Sequence, residues 1–153
     1  MHIDRDRALK YPVAPMPFDV ERGRLRFFAR TVGLTDPIYF DVEAARAAGH
    51  RDLPVPPTFL SNSLELELPE PLGWLADLGG DLTKTTHAEQ GFVYHALAYA
   101  GDSLLFQRRV VDVYTKKGGA LEFVVKRTDI MRGDELLAES TFVIALRHPE
   151  VTS

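Results

Sequence analysis

Proline placement constrains this chain more than any other feature. Nine of its ten prolines lie before residue 83, and none lies between residues 83 and 147. Proline removes a ladder donor and is confined to turns and sheet edges. A long proline-free run rich in Val, Ile, Phe and Tyr is therefore what a multi-stranded sheet needs. Turn residues punctuate the run at Ala100-Gly101-Asp102, Gly118-Gly119 and Gly133-Asp134, which predicts antiparallel strands over residues 86–97, 103–116, 121–131 and 136–147. With two-residue loops at the last two turns, Phe123 falls opposite Ile144, Val125 opposite Phe142 and Leu121 opposite Leu146. Such an apolar cross-strand ladder would form the buried face of the sheet.

The proline-rich remainder reads as short helices joined by turns. Residues 20–32 form the first, with Asp19 as cap, Glu21 suited to the positive end of the dipole and Gly33 as terminator. Leu25, Phe28, Ala29 and Val32 make its apolar stripe, and Arg22, Arg26 and Arg30 line a solvated face. Asp41 caps a second short helix that Gly49 ends. Thr58 can cap another after Pro56-Pro57, and one more starts near Pro71. With no repeat or flexible linker, residues 1–153 read as one α+β domain whose helices cover the sheet.

Composition narrows the function. At 45% hydrophobic and 26% charged residues, the chain can build a packed core. Its net charge of −4, from 18 basic and 22 acidic residues, argues against nucleic acid as a partner. No apolar stretch approaches the roughly 18–20 residues that a membrane-spanning helix needs, and the charged opening is unlike a secretory leader. A cytoplasmic protein is expected. With no cysteine, thiolate metal sites and cysteine nucleophiles are excluded. The histidines at 2, 50, 87, 95 and 148 lack a metal-ligand spacing. His87 and His95, eight apart on one strand, would share a face about 26 Å apart. No metal and no cofactor are expected.

Two segments carry most of the polar chemistry: residues 33–41, between the first two helices, and residues 87–95, on the first long strand. They belong to a wider pattern: Gly23-Arg24-Leu25-Arg26-Phe27-Phe28-Ala29, Asp36-Pro37-Ile38-Tyr39-Phe40-Asp41, Ala44-Ala45, Gly49, Pro56-Pro57-Thr58-Phe59, Gly101-Asp102, and Asp112-Val113-Tyr114 ahead of Lys117-Gly118-Gly119. In this order the chain resembles the MaoC-like (R-specific) enoyl hydratase and 3-hydroxyacyl dehydratase family. It is most similar to the N-terminal-type dehydratase half. The resemblance implies a hot dog fold, an antiparallel sheet wrapped around a central α-helix, paired with a second such unit.

Catalytic members of that family carry G-D-x-N-P-x-H-x-D, whose aspartate and histidine act on a water. Here the matching residues are Gly33-Leu34-Thr35-Asp36-Pro37-Ile38-Tyr39-Phe40-Asp41. Leu34 stands where the aspartate belongs, and Tyr39 where the histidine belongs. Leucine moves no proton, and a tyrosine phenol, ordinarily protonated up to about pH 10, is a poor base at neutral pH. The resemblance therefore implies the half that lost the dyad and shapes the acyl site, with Tyr39, Pro57, Phe59, His87, Gln90 and His95 as substrate-binding candidates. The expected partners are an acyl-CoA or acyl-carrier-protein thioester and a second hot dog subunit, as a homodimer or as a heterodimer with a dyad-bearing chain. An alternative keeps catalysis here in a homodimer, with His87, Asp36 or Glu89 as an atypical acid or base. A third possibility is a module that binds acyl-CoA without turnover. Arg108, Arg109, Lys116, Lys117, Lys126 and Arg127 crowd one hairpin, and strand alternation lets about half of them share a surface that could meet the carrier's negative charge.

Overall fold

The proline-free run forms four of the five strands in one antiparallel sheet of order β1-β3-β4-β5-β2. The structure is a computed structural model and describes residues 2–148. The strands are β1 (Met16–Asp19), β2 (Thr85–Tyr94), β3 (Ser103–Lys116), β4 (Leu121–Arg132) and β5 (Glu135–Arg147). The helices are α1 (Arg5–Lys10), α2 (Arg22–Thr31), α3 (Val42–Ala47) and α4 (Gly73–Asp77). Strand positions agree closely with those expected, but the pairing does not.

The hairpin tip begins as predicted, with Arg132 opposite Glu135 and Met131 opposite Leu136. A bulge then shifts the ladder, so that Ile130 faces Ala138, Val124 faces Ile144 and Glu122 faces Leu146. The extra residue, Leu137, is fully buried, and its carbonyl accepts from the His95 and Ala96 N–H groups at 2.8 and 3.1 Å. One inserted residue reverses which side chains share a face. The inner face of β4 is consequently Glu122, Val124, Lys126, Thr128 and Ile130, all buried. The predicted Phe123–Ile144, Val125–Phe142 and Leu121–Leu146 pairs do not form; Phe123 instead stacks on Tyr114 with centroids 5.0 Å apart. The β3–β4 connection also has four residues rather than two, because Lys116 pairs with Leu121.

Before residue 83 the structure holds α1 and β1, neither expected. Asp4 caps α1 by accepting from the Arg7 N–H at 2.7 Å. β1 survives Pro17 because it is an edge strand of four residues that, among the described residues, pairs with β3 alone. That strand displaces the predicted start of the first helix: Asp19 ends β1 and accepts from the Ser103 hydroxyl at 2.7 Å, and α2 begins at Arg22 with no side-chain cap. Leu25 and Ala29 are buried as expected, but Val32 is half exposed. Asp41 does cap α3, and Gly49 follows it with φ of 92°. Thr58 caps nothing. It adopts a left-handed φ of 68° in a turn, and its N–H donates to the Tyr94 hydroxyl at 3.1 Å.

The segment laid on the inner face is short helical pieces, a 3-10 stretch over Asn62–Glu67 and then α4. Phe59, Leu60 and Leu64 join Phe18, Leu25, Phe106, Ile130 and Leu137 in one apolar cluster. Trp74, Leu75 and Leu78 join Val110, Val124, Phe142, Ile144 and Leu146 in a second. Between the clusters runs a buried polar stripe in which Arg108 pairs across to Thr128 and Thr128 to Ser140, with Lys126 alongside. Lys126 and Arg108 meet the buried Glu65 carboxylate, Arg108 Nη1 at 3.1 Å. Burial pulls the Lys126 ammonium down to about 8 despite the Glu65 carboxylate beside it. Two of the six residues of the expected basic patch are thus in the core. Arg109 and Arg127 are tied to Asp129 and Glu139 on the outer face, at 2.6 and 2.7 Å.

Candidate functional site

A cavity of about 290 Å³ opens where the turn after α2 meets the end of β2. Ile38 and Tyr39 line it from one side, Pro54 to Pro57 from another, and Tyr94 at the end of β2 with residues 96–98 just past it from a third. Its walls follow from local bonding. Pro54 bridges to Tyr99, the Val55 N–H donates to Ala98 O at 2.9 Å, and the Ala100 N–H donates to Leu53 O at 2.9 Å. Residues 53–55 are therefore held as a strap against residues 98–100.

Two carboxylates anchor that strap. Asp52 takes a two-pronged contact from Arg22 at 2.9 and 2.6 Å, which ties the start of α2 to the strap. The Arg22 guanidinium holds the Asp52 carboxyl down at about 2, against a smaller upward push from burial and with help from the Leu53 N–H. Asp102 binds Arg51 and Arg132 and accepts from the Tyr99 N–H at 2.9 Å. Burial alone would raise this carboxyl, but the three donors together keep it below the ordinary value. The Gly101-Asp102 pair singled out in the sequence is thus a structural anchor for the cavity wall.

The residues at the dyad positions are placed as follows. Leu34 is half-buried just past α2, its N–H donating to Ala29 O at 2.9 Å. Tyr39 is half-buried and faces the cavity. Asp36 is exposed and accepts from the Ile38 N–H at 3.1 Å, and Asp41 accepts from the Glu43 and Ala44 N–H groups at 2.8 and 3.3 Å. Both aspartates of the segment therefore cap helical turns.

The remaining candidates divide among other places. Pro57 joins Tyr39 at the cavity. His87 and Gln90 line a different recess of about 250 Å³ with Ser61, Ser63, Glu65, Leu66, Leu72 and Phe142. There the Gln90 amide donates to Ser140 Oγ at 2.7 Å and to Thr141 O at 3.0 Å, and the His87 ring lies 4.7 Å from Phe142. Phe59 is core, packed on Phe28 and Phe18. Glu89 is exposed beside a bulge at Ala88. That bulge corrects the expectation that His87 and His95 share a face: His87 pairs with the inner-face Ile144, while His95 meets Glu139 of the outer face at 3.0 Å. Missed from the sequence were His50 and Tyr94, which line the cavity, and Tyr99, whose hydroxyl lies 3.2 Å from His50 Nδ1. Only their positions beside Gly49 and inside the 87–95 segment hinted at them.

The sequence model of the "FAS1-like, dehydratase domain region" matches residues 9–140. The chain belongs to this dehydratase-region family. A UPF0336 protein of Parafrankia sp. (strain EAN1pec) is 34% identical over 148 residues, covering 96% of each chain. Among solved structures, the HadBC (3R-hydroxyacyl-ACP dehydratase) complex from Mycobacterium tuberculosis contains a similar chain, with a TM-score of 0.70 and 28% identity over 86% of this chain and 91% of that one. A chain of the ChsH1–ChsH2 complex from the same organism shares the fold, with a TM-score of 0.72 and 24% identity over 92% and 90% of the two chains. MaoC-like dehydratases are among the further structural matches. The family's hot dog architecture is thus the fold of this chain, as the MaoC-like resemblance implied.

Proposed function

We propose that this chain is the acyl-thioester-binding half of an R-specific enoyl hydratase or 3-hydroxyacyl dehydratase, working beside a hot dog chain that carries the Asp–His dyad. One observation carries the reading: the two positions where the family keeps its proton-handling groups hold Leu34 and Tyr39, and the nearby Asp36 and Asp41 serve as caps. The reaction adds water across the double bond of a trans-2-enoyl thioester, hydroxyl to the β-carbon and proton to the α-carbon, or runs in reverse. A base must take one proton from the water and an acid must deliver one to the α-carbon, and the partner supplies both groups.

What this half contributes is the apolar cavity of about 290 Å³ at Tyr39 and Pro57, near the low end of small-ligand sites and suited to a short acyl group. The sheet edge supports a partner. β1 is short and interrupted by Pro17, so it is a poor template, whereas β2 offers ten proline-free residues with Val93 and Tyr94 half exposed. HadBC, the 28%-identical relative, is itself a complex of dehydratase chains.

The test is hydration of a short trans-2-enoyl thioester, on CoA and on acyl-carrier protein, by this chain mixed with a similar-sized hot dog chain bearing an intact G-D-x-N-P-x-H segment. The two should co-purify, and turnover should require both. Turnover by this chain alone, falling by about 10²–10⁴ in His87→Ala, would instead assign the acid–base role to the His87 recess. Thioester affinity with no turnover under any pairing would leave a binding module.

A further inference from the structure

Apart from the acyl cavity, the fold gathers three potential ligands from distant parts of the chain: His2, Glu122 at the start of β4, and His148 just past β5. Each offers one donor atom, and the three atoms lie within 4.8 Å of one another. His148 Nε2 is 3.0 Å from Glu122 Oε2, and His2 Nδ1 is 3.6 Å from Glu122 Oε1, too long for a hydrogen bond. The two imidazoles meet edge to face with centroids 4.4 Å apart, so both rings converge on the one carboxylate.

Electrostatics favours a cation there. The Glu122 side chain is 1% exposed. Among the described residues its ion-pair partners are these two histidines, and no lysine or arginine joins them. The Ile3 N–H donates to Glu122 Oε1 at 2.8 Å, which orients the carboxylate without neutralising it. A buried carboxylate lacking a permanent positive partner is costly. Neutral imidazole lone pairs plus one carboxylate are also a donor set that zinc-class ions accept, at about 2.0–2.2 Å per bond.

We propose that His2, Glu122 and His148 form a binding site for one divalent transition-metal ion of the zinc class. The ion clips the segment before α1 to the far end of β5. With His2 about half exposed, a further coordination position faces water. The site is structural with respect to the acyl cavity: Ile130 pairs with Ala138, next to the Leu137 carbonyl that the cavity-lining Ala96 bonds, and Ile130 is eight residues along β4 from Glu122, or roughly 26 Å. The proposal is independent of the hydratase reading. Spacing along the chain concealed it, since the ligands stand at positions 2, 122 and 148.

The test uses the full chain without an affinity tag, stripped of metal and titrated with zinc chloride by calorimetry, with the unfolding midpoint followed in parallel. One zinc per chain is expected, with a midpoint that rises as zinc is added. His2→Ala and His148→Gln, both at or near the surface, should each weaken binding by at least about tenfold while leaving the far-ultraviolet circular dichroism unchanged. Cobalt(II) should give the intense visible absorption of a low-coordinate site, lost in the same variants. The proposal is overturned if zinc binding is unsaturable, or if either variant binds it as tightly as the parent chain.

Discussion

Single residues decide much of the chemistry of this chain. In the proposed function Leu34 and Tyr39 stand in place of the family's acid–base pair, and Asp52 fixes the strap that walls the cavity Tyr39 lines. The Asp52 carboxyl lies near 2 in the folded state, against an ordinary unfolded value of about 3.9. Its ionised form therefore stabilises the fold above about pH 4, and that contribution is lost as pH falls from about 4 through 2. Asp52→Asn should lower stability at neutral pH and flatten the acid limb, read by urea unfolding between pH 2 and 6. The positions of Tyr39 and Pro57 at one cavity were legible through the family pattern. Those of His50 and Tyr94 were not, because the strap that gathers them is set by backbone bonds between residues 53–55 and 98–100.

Secondary elements were the most legible level, and their register the least. Proline and glycine placement located the four long strands to within a few residues, because both act through local backbone chemistry. The bulge at Leu137 depends on where its carbonyl is bonded in three dimensions, by His95 and Ala96, and a periodic reading of β5 carries no trace of it. β1 was hidden by Pro17, since proline argues against a strand except at an edge. The corrected register explains why Lys126, read as a carrier-facing base, lies beneath Trp74 and Phe142 against Glu65. Its folded value of about 8 is below the ordinary lysine value near 10.4. Below pH 8 both states hold the proton, so the cost of burying the charge is fully in place. Between about pH 8 and 10.4 the unfolded chain binds more protons, and stability from this residue rises with pH. In urea unfolding across that range, Lys126→Met should remove this rise. An identical slope in the variant would mean that burial does not control the ammonium.

The whole molecule is an asymmetric sheet with one blunted edge and one open edge. Among the described residues, β1 closes one side with four residues, and β2 leaves ten residues of the other side unpaired. Val93 is half exposed on β2 and opposite Glu139, so a charge there is tolerated in the isolated fold but stranded in an interface. Val93→Lys should leave circular dichroism and thermal unfolding within error of the parent, while abolishing co-elution with the dyad-bearing chain on size exclusion. Retained co-elution would move the partner to another surface. The most direct measurement is the initial rate of crotonyl-CoA hydration against concentration of this chain alone, purified free of any other hot dog protein. A chain that lacks the dyad should give the uncatalysed rate at every concentration. A rate rising in proportion to the chain, with turnover in the ordinary enzyme range of about 1 s⁻¹ or more, would contradict it.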